Sequence, residues 1–303
     1  VIPSVRNIRI LLLPGLCLTL SGCLHSPLAT RTAAFSSAAT ATVTQTTNVY
    51  QLVNQAHYDA QLAALANDYD PKTFKPSEIM PFLPEKDLAV RTQVLNGLKE
   101  YATMLAEVSG DQPVTDLETQ VKASGDALVK LQQDDFAKLK ITPKEQNLAV
   151  TAITTLGNVL IEHDRARALP GILDKMDKPI QDICAILQSD IGTADKPGLA
   201  NLLHLEYDNQ IAEEQRFIDK SGASLSADQR RTEIQTLVKL VTAQQQADKT
   251  LAATSKSLAA LAAAHAALTA TKTQKDAPAF KVVLAELVQD AQTINGFYQT
   301  SSK

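Results

Sequence analysis

Apolar residues return every three or four positions through most of this chain, the period of a helix with one buried face. The pattern becomes regular at about Thr44–Asn67, where Val49, Leu52, Val53, Ala56, Ala60, Ala63 and Leu65 trace a stripe. Pro71, Pro76, Pro81 and Pro84 forbid regular helix across Asp70–Pro84, because each lacks an N–H and crowds the preceding turn. Phe74, Ile79, Met80, Phe82 and Leu83 in that loop are expected to pack over an end of a bundle. A second helix is predicted over Glu85–Ser109, with Leu88, Val94, Leu95, Leu98, Ala102, Leu105 and Val108 on one face and Gly110 as its stop. Thr115 and Glu118 form a capping box for a third helix that carries Leu117, Val121, Leu128, Leu131 and Phe136. Thr142 as N-cap, Pro143 at the first helical position and Glu145 open the fourth. Its buried side runs through Leu148, Ala152, Leu156, Val159, Leu160 and His163, and Pro170-Gly171 is read as its end.

Asp177–Asp190 is read as a shorter helix through Ile180, Ile183, Cys184 and Leu187, and Leu199–Asp219 as a further one closed by Gly222. Ser226 and Gln229 make another capping box. Neither Gly nor Pro interrupts the chain from there to Pro278, so one helix can reach Thr271, roughly 65–70 Å at 1.5 Å per residue. A short turn at Thr273–Asp276 leads into Phe280–Tyr298. Short turns favour antiparallel neighbours. No stretch alternates with the period of a strand. The expectation is an all-α fold, an elongated antiparallel bundle of about seven helices occupying residues 43–303 as a single domain.

The start of the chain has a different grammar. Arg6 and Arg9 precede an apolar run from Ile10 to Leu20, which is shorter than the roughly 20 residues needed to span a bilayer and is broken by Pro14-Gly15. Positive charge before a short apolar core marks a signal peptide. The core ends in Leu20-Ser21-Gly22-Cys23, which resembles the lipobox of bacterial lipoproteins: an aliphatic residue, two small residues and a cysteine. The resemblance implies that residues 1–22 are a cleaved signal peptide and that Cys23 is acylated as the mature N-terminus. Cys17 follows Pro14-Gly15-Leu16, which does not fit the pattern. Lipoproteins of this type usually carry three acyl chains, enough for a stable anchor where one chain binds marginally. Leu24 stands where an aspartate would favour inner-membrane retention, so outer-membrane delivery is implied, with the body facing the periplasm or the cell surface. Residues 23–42, rich in Ser, Thr and Ala, are read as a disordered lipidated tether reaching at most ~60 Å.

Composition narrows the function classes. The chain carries 29 basic and 33 acidic residues, and loss of Arg6 and Arg9 with the signal leaves 27 against 33, a net charge of −6. That balance argues against nucleic acid, which requires a basic face. With Cys17 removed and Cys23 acylated, Cys184 is the one thiol left, so no disulfide framework is available. Its setting, Ile183-Cys184-Ala185-Ile186-Leu187, reads as core.

Few residues in the sequence carry a recognisable chemistry. None of His25, His57, His163, His204 and His265 is three or four residues from another, which removes the helical di-iron and zinc motifs. His204 with Asp208 one turn on, and Glu206 nearby, is the best metal-like geometry, with too few ligands for a site. Gly222-Ala223-Ser224-Leu225-Ser226 approaches a hydrolase elbow but lacks its last glycine and a preceding strand. No catalytic residue, metal or cofactor is assigned. Ser257–Leu268 is uncharged and dominated by alanine, and Ala259, Ala263 and Ala266 are expected to form a packing seam against the returning Phe280–Tyr298 segment. The functional expectation is a non-catalytic adaptor or scaffold with an envelope protein partner. A membrane-active protein of pore-former outline, inserting the alanine run, and a small-ligand binder with the proline-rich loop as a lid are the alternatives.

Overall fold

The computed structural model describes residues 27–110, 117–130, 143–162, 169–192, 198–274 and 276–301. Among them are eight α-helices and no strand: α1 (Pro27–Asn67), α2 (Glu85–Ser109), α3 (Leu117–Lys130), α4 (Pro143–Ile161), α5 (Leu169–Ile191), α6 (Gly198–Ser221), α7 (Ala227–Ala270) and α8 (Pro278–Ser301). The all-α bundle expected from the periodicity is the fold. The two long helices form its axis. Helix α1 packs on α2, α6, α7 and α8, while α7 also packs on α5, α6 and α8; α3 and α4 pair beside α2.

The first correction falls on the tether. Residues 27–42 are helical and continue without a break into the helix placed at Thr44–Asn67. Phe35 is 2% exposed, and Ala38, Ala39, Thr42 and Val43 are buried with it. Alanine has the highest helix propensity, so a stretch poor in large apolar residues still folds where its small side chains fit closely against neighbours. Arg31 fixes the register: its guanidinium donates to the carbonyls of Thr271 and Gln274, both at 2.8 Å, beyond the end of α7. Thr32 pairs with Ser109 at the end of α2.

The second correction concerns Pro170-Gly171. It does not end a helix but lies in the first turn of α5, which begins at Leu169 and absorbs Pro179 inside it. Proline near the start of a helix removes an N–H that has no intrahelical partner there. Helix α5 is therefore two turns longer at its start than Asp177–Asp190, and it buries Ile172, Leu173 and Met176. The capping box at Ser226 is present in both halves, with Gln229 N–H donating to the Ser226 hydroxyl at 3.2 Å and Ser226 N–H to Gln229 Oε1 at 2.9 Å. Thr115 and Thr142 lie outside the described residues.

Glycine does steric work where α3 meets α4. A Cβ on Gly157 would lie 2.7 Å from Val129 Cγ2 and 3.0 Å from the Gly125 carbonyl, so these backbones touch only because both positions lack a side chain. Leu128 and Leu156 beside them are 1% and 0% exposed.

The alanine-rich stretch runs beside α8, where Ala259 and Ala263 border a shallow open cleft with Glu286 and Asp290 instead of the closed seam expected. Leu258, Leu261, Ala264, His265 and Leu268 are buried; Ala259 and Ala263 are exposed and Ala266 is half-buried. The core-facing row follows the leucines at three- and four-residue spacing, and 259 and 263 fall outside that row. The proline-rich loop is likewise displaced from its expected place over a bundle end. It lies along the flank of α1, where Asn54 exchanges two hydrogen bonds with the Leu83 backbone (3.0 and 2.7 Å) and Gln61 two with that of Met80 (2.8 and 3.2 Å).

Candidate functional site

Cys23 and the lipobox, His25 and His163 lie outside the described residues. The remaining histidines are each paired, in three separate places. His57 Nδ1 is 2.8 Å from Glu206, across α1 and α6. His204 lies on the outer side of α6, with Nδ1 3.0 Å from Asp248 and Nε2 3.7 Å from Asp208. Glu206 points away from it to His57, so the trio noted in the sequence is split between two faces. Among the described residues, no group of three or more His, Cys, Asp or Glu side chains is placed to hold a metal ion. Gly222 donates to the Ile218 carbonyl at 2.7 Å and Ser226 caps α7, so both ends of the near-miss elbow serve helix termini. Burial pushes the Cys184 thiol up to about 12.

His265 belongs to a buried relay. Its Nδ1 donates to Asp177 Oδ1 at 3.2 Å, and its Nε2 accepts from the Tyr101 hydroxyl at 2.8 Å, while Phe35 packs edge-on at 5.7 Å. Hydroxyl, imidazole and carboxylate in series have the connectivity of an activated nucleophile. Here the hydroxyl is a phenol with no exposed surface, raised well above its ordinary range by burial and by the Asp177 charge. His265 holds the Asp177 carboxyl below its usual range. The relay ties α2, α5 and α7 together. Arg91 and Asp190 form a second internal tie, with two parallel hydrogen bonds of 2.8 and 2.7 Å and side chains 5% and 6% exposed. Sequence reading missed both. The available signal was Arg91 standing on the apolar face of α2 between Leu88 and Val94.

Two surfaces lack a partner among the described residues. The first is at the end remote from the chain start. Past Ala60 in α1, past Gln210 in α6 and before Gln244 in α7, no described side chain is buried. These segments make a slender three-helix projection, about 24 Å long on the α7 side at 1.5 Å per residue. It is held by Asn67 donating to the Glu213 carbonyl at 2.8 Å and by Arg216 gripping Asp68 at 3.1 and 2.9 Å. On its outer side Ile234, Val238 and Val241 are 53%, 60% and 38% exposed, and Leu237 is half-buried between them. Positions i, i+3, i+4 and i+7 form one apolar stripe.

The second surface is a groove of about 1070 Å³ at the other end. Its floor is α1, with Ala33, Ser37, Ala41, Thr44 and Asn48 stacked at near one-turn spacing; one wall is Leu284, Val288 and Asn295 of α8, and Ala106 and Gly110 at the C-terminal end of α2 flank its start. Gln45 stitches floor to wall by donating to the Ala291 carbonyl.

Helix α7 is long and apolar enough to cross a membrane by length and composition, and 56% of its most apolar stretch is buried inside the bundle. No protein-family model, no curated protein and no solved structure matches this chain.

Proposed function

We propose that this protein is a lipid-anchored, non-catalytic adaptor of the cell envelope, held to the outer membrane through acyl chains on Cys23 and engaging a protein partner through the outer face of its three-helix projection. The observation that carries the reading is the stripe Ile234-Leu237-Val238-Val241, a buried-type pattern that is left bare. Apolar anchors at i, i+3, i+4 and i+7 are the means by which one amphipathic helix receives another. The stripe lies at the end of the molecule opposite Pro27, so an anchored chain holds it away from the bilayer.

A photoreactive phenylalanine analogue at Val238 tests this in intact cells. A discrete protein adduct is expected there, absent when the analogue stands at exposed Arg231 and lost when Ile234→Asp accompanies it. No adduct, or an adduct of unchanged yield with Ile234→Asp, refutes the reading. A membrane-active protein remains the second reading, favoured by the length of α7. It requires α7 to leave α5 and α8, and leakage of vesicles by the purified chain would select it.

A further inference from the structure

The groove at the start of α1 has no partner among the described residues, and its position suggests an occupant. From Thr32 to Tyr58 the chain contains no Asp, Glu, Lys or Arg, although Ala33, Ser37 and Thr44 are exposed. The outer face of a long surface helix ordinarily carries charge. None of the described side chains lining the groove is charged. The uncharged floor from Ala29 to Asn48 runs about 28 Å at 1.5 Å per residue.

Direction matters as much as lining. Arg31 lies level with Gln274 and Gln45 with Ala291, so α8 runs parallel to α1 and the groove extends away from the chain start. Its near end opens within the first turn of α1. Only four residue steps separate Cys23 from Pro27, a reach of at most ~14 Å. An acyl chain that fills one leaflet is about 15 Å long, half of the ~30 Å hydrocarbon core. A chain attached at Cys23 can therefore enter the groove at its mouth and lie along the floor within its length.

We infer that the groove is an acyl-chain site whose ligand is one of the fatty acyl groups carried by Cys23. This rests on the lipoprotein reading. The remaining chains stay in the bilayer, and the body is thereby seated against the membrane rather than swinging from it. Small side chains on α1 give the width, and Leu284 and Val288 give the apolar wall.

The test uses the full chain, made in bacteria fed a fatty acid bearing a diazirine near its terminal methyl. Membranes are irradiated, digested with trypsin and analysed by mass spectrometry. The expected product joins the lipopeptide 23–31 to peptide 282–303, which carries the α8 wall, or to peptide 32–72, which carries the floor. Ala41→Trp, which fills the groove midway, should lower that product at least ten-fold while the circular dichroism melt keeps its cooperativity. Should that variant unfold, the wild-type adduct map decides alone. Adducts confined to phospholipid, or scattered over exposed residues of the projection, overturn the inference and leave the anchor standing. An N-terminal peptide without acyl chains removes the anchor and the inference together.

Discussion

Replacing Ala264 by lysine, and separately replacing its neighbour Ala263 by lysine, separates the two faces of α7. Ala264 has no exposed surface and lies in the same row as Leu261 and Leu268. A lysine there forces at least four additional heavy atoms into a filled interior, which costs about 1–3 kcal/mol as overpacking. Its ammonium would also lose water without a partner, an effective penalty of several kcal/mol. The sum is a loss of at least ~3 kcal/mol, a large part of the about 5–15 kcal/mol that holds a typical domain together. Ala263, one residue earlier, is exposed and shares a shallow cleft with Glu286 and Asp290 of α8. A lysine there meets carboxylates and water, so its effect stays within about 0.5 kcal/mol. Urea unfolding followed by helical circular dichroism measures both. Equal losses for the two variants, or a loss below about 1 kcal/mol for Ala264→Lys, would show that this face of α7 is not packed into the bundle.

Two further outcomes follow from the internal ties and from the projection. Asp190→Ala strands the Arg91 guanidinium, whose side chain is 5% exposed, and should cost about 3–5 kcal/mol in urea unfolding; the double replacement Arg91→Met with Asp190→Leu should recover most of it, and an unrecovered double variant would contradict the electrostatic origin of the loss. Glu214 is raised from the ordinary carboxyl range by burial and then by the facing Glu233 carboxylate, so its charged form is penalised in the folded state; that penalty is full above the raised value and disappears as pH falls through it toward the unfolded value near ~4.3, so stability rises as the pH is lowered there. Glu214→Gln should stabilise the chain at neutral pH and flatten that rise, and an unaltered pH profile of thermal unfolding would count against the assignment.

The sequence made most of the helices legible where strong stripes coincided with punctuation. Glu85–Ser109 is framed by Pro84 and Gly110, and the start of α7 by a capping box, so pattern and boundary agreed. Residues 27–43 were illegible for a physical reason: Ala, Ser and Thr occupy both faces of that helix, so no contrast between the faces survives. Pro170 was misread because a proline marks a helix start as readily as a stop, and only the position of the following residues distinguishes the two. The bare stripe could not be recognised as bare, because Ile234, Val238 and Val241 follow the same helical period as Leu258, Leu261 and Leu268, which are buried. Tertiary arrangement alone separates them. The groove stayed hidden behind the same mistake that turned its floor into a tether.

The clamp made by Arg31 has a mechanical side. Helix α7 carries the bare stripe near its first turns, and just beyond its last turn Arg31 of α1 grips the Thr271 and Gln274 carbonyls. A pull applied at Val238 therefore reaches the beginning of α1 along one unjointed rod, with neither proline nor glycine to act as a hinge. Tension at the far tip is shared along the packed length of α7 and ends at a two-pronged guanidinium contact, eight residues from Cys23. The molecule is built as a stiff strut.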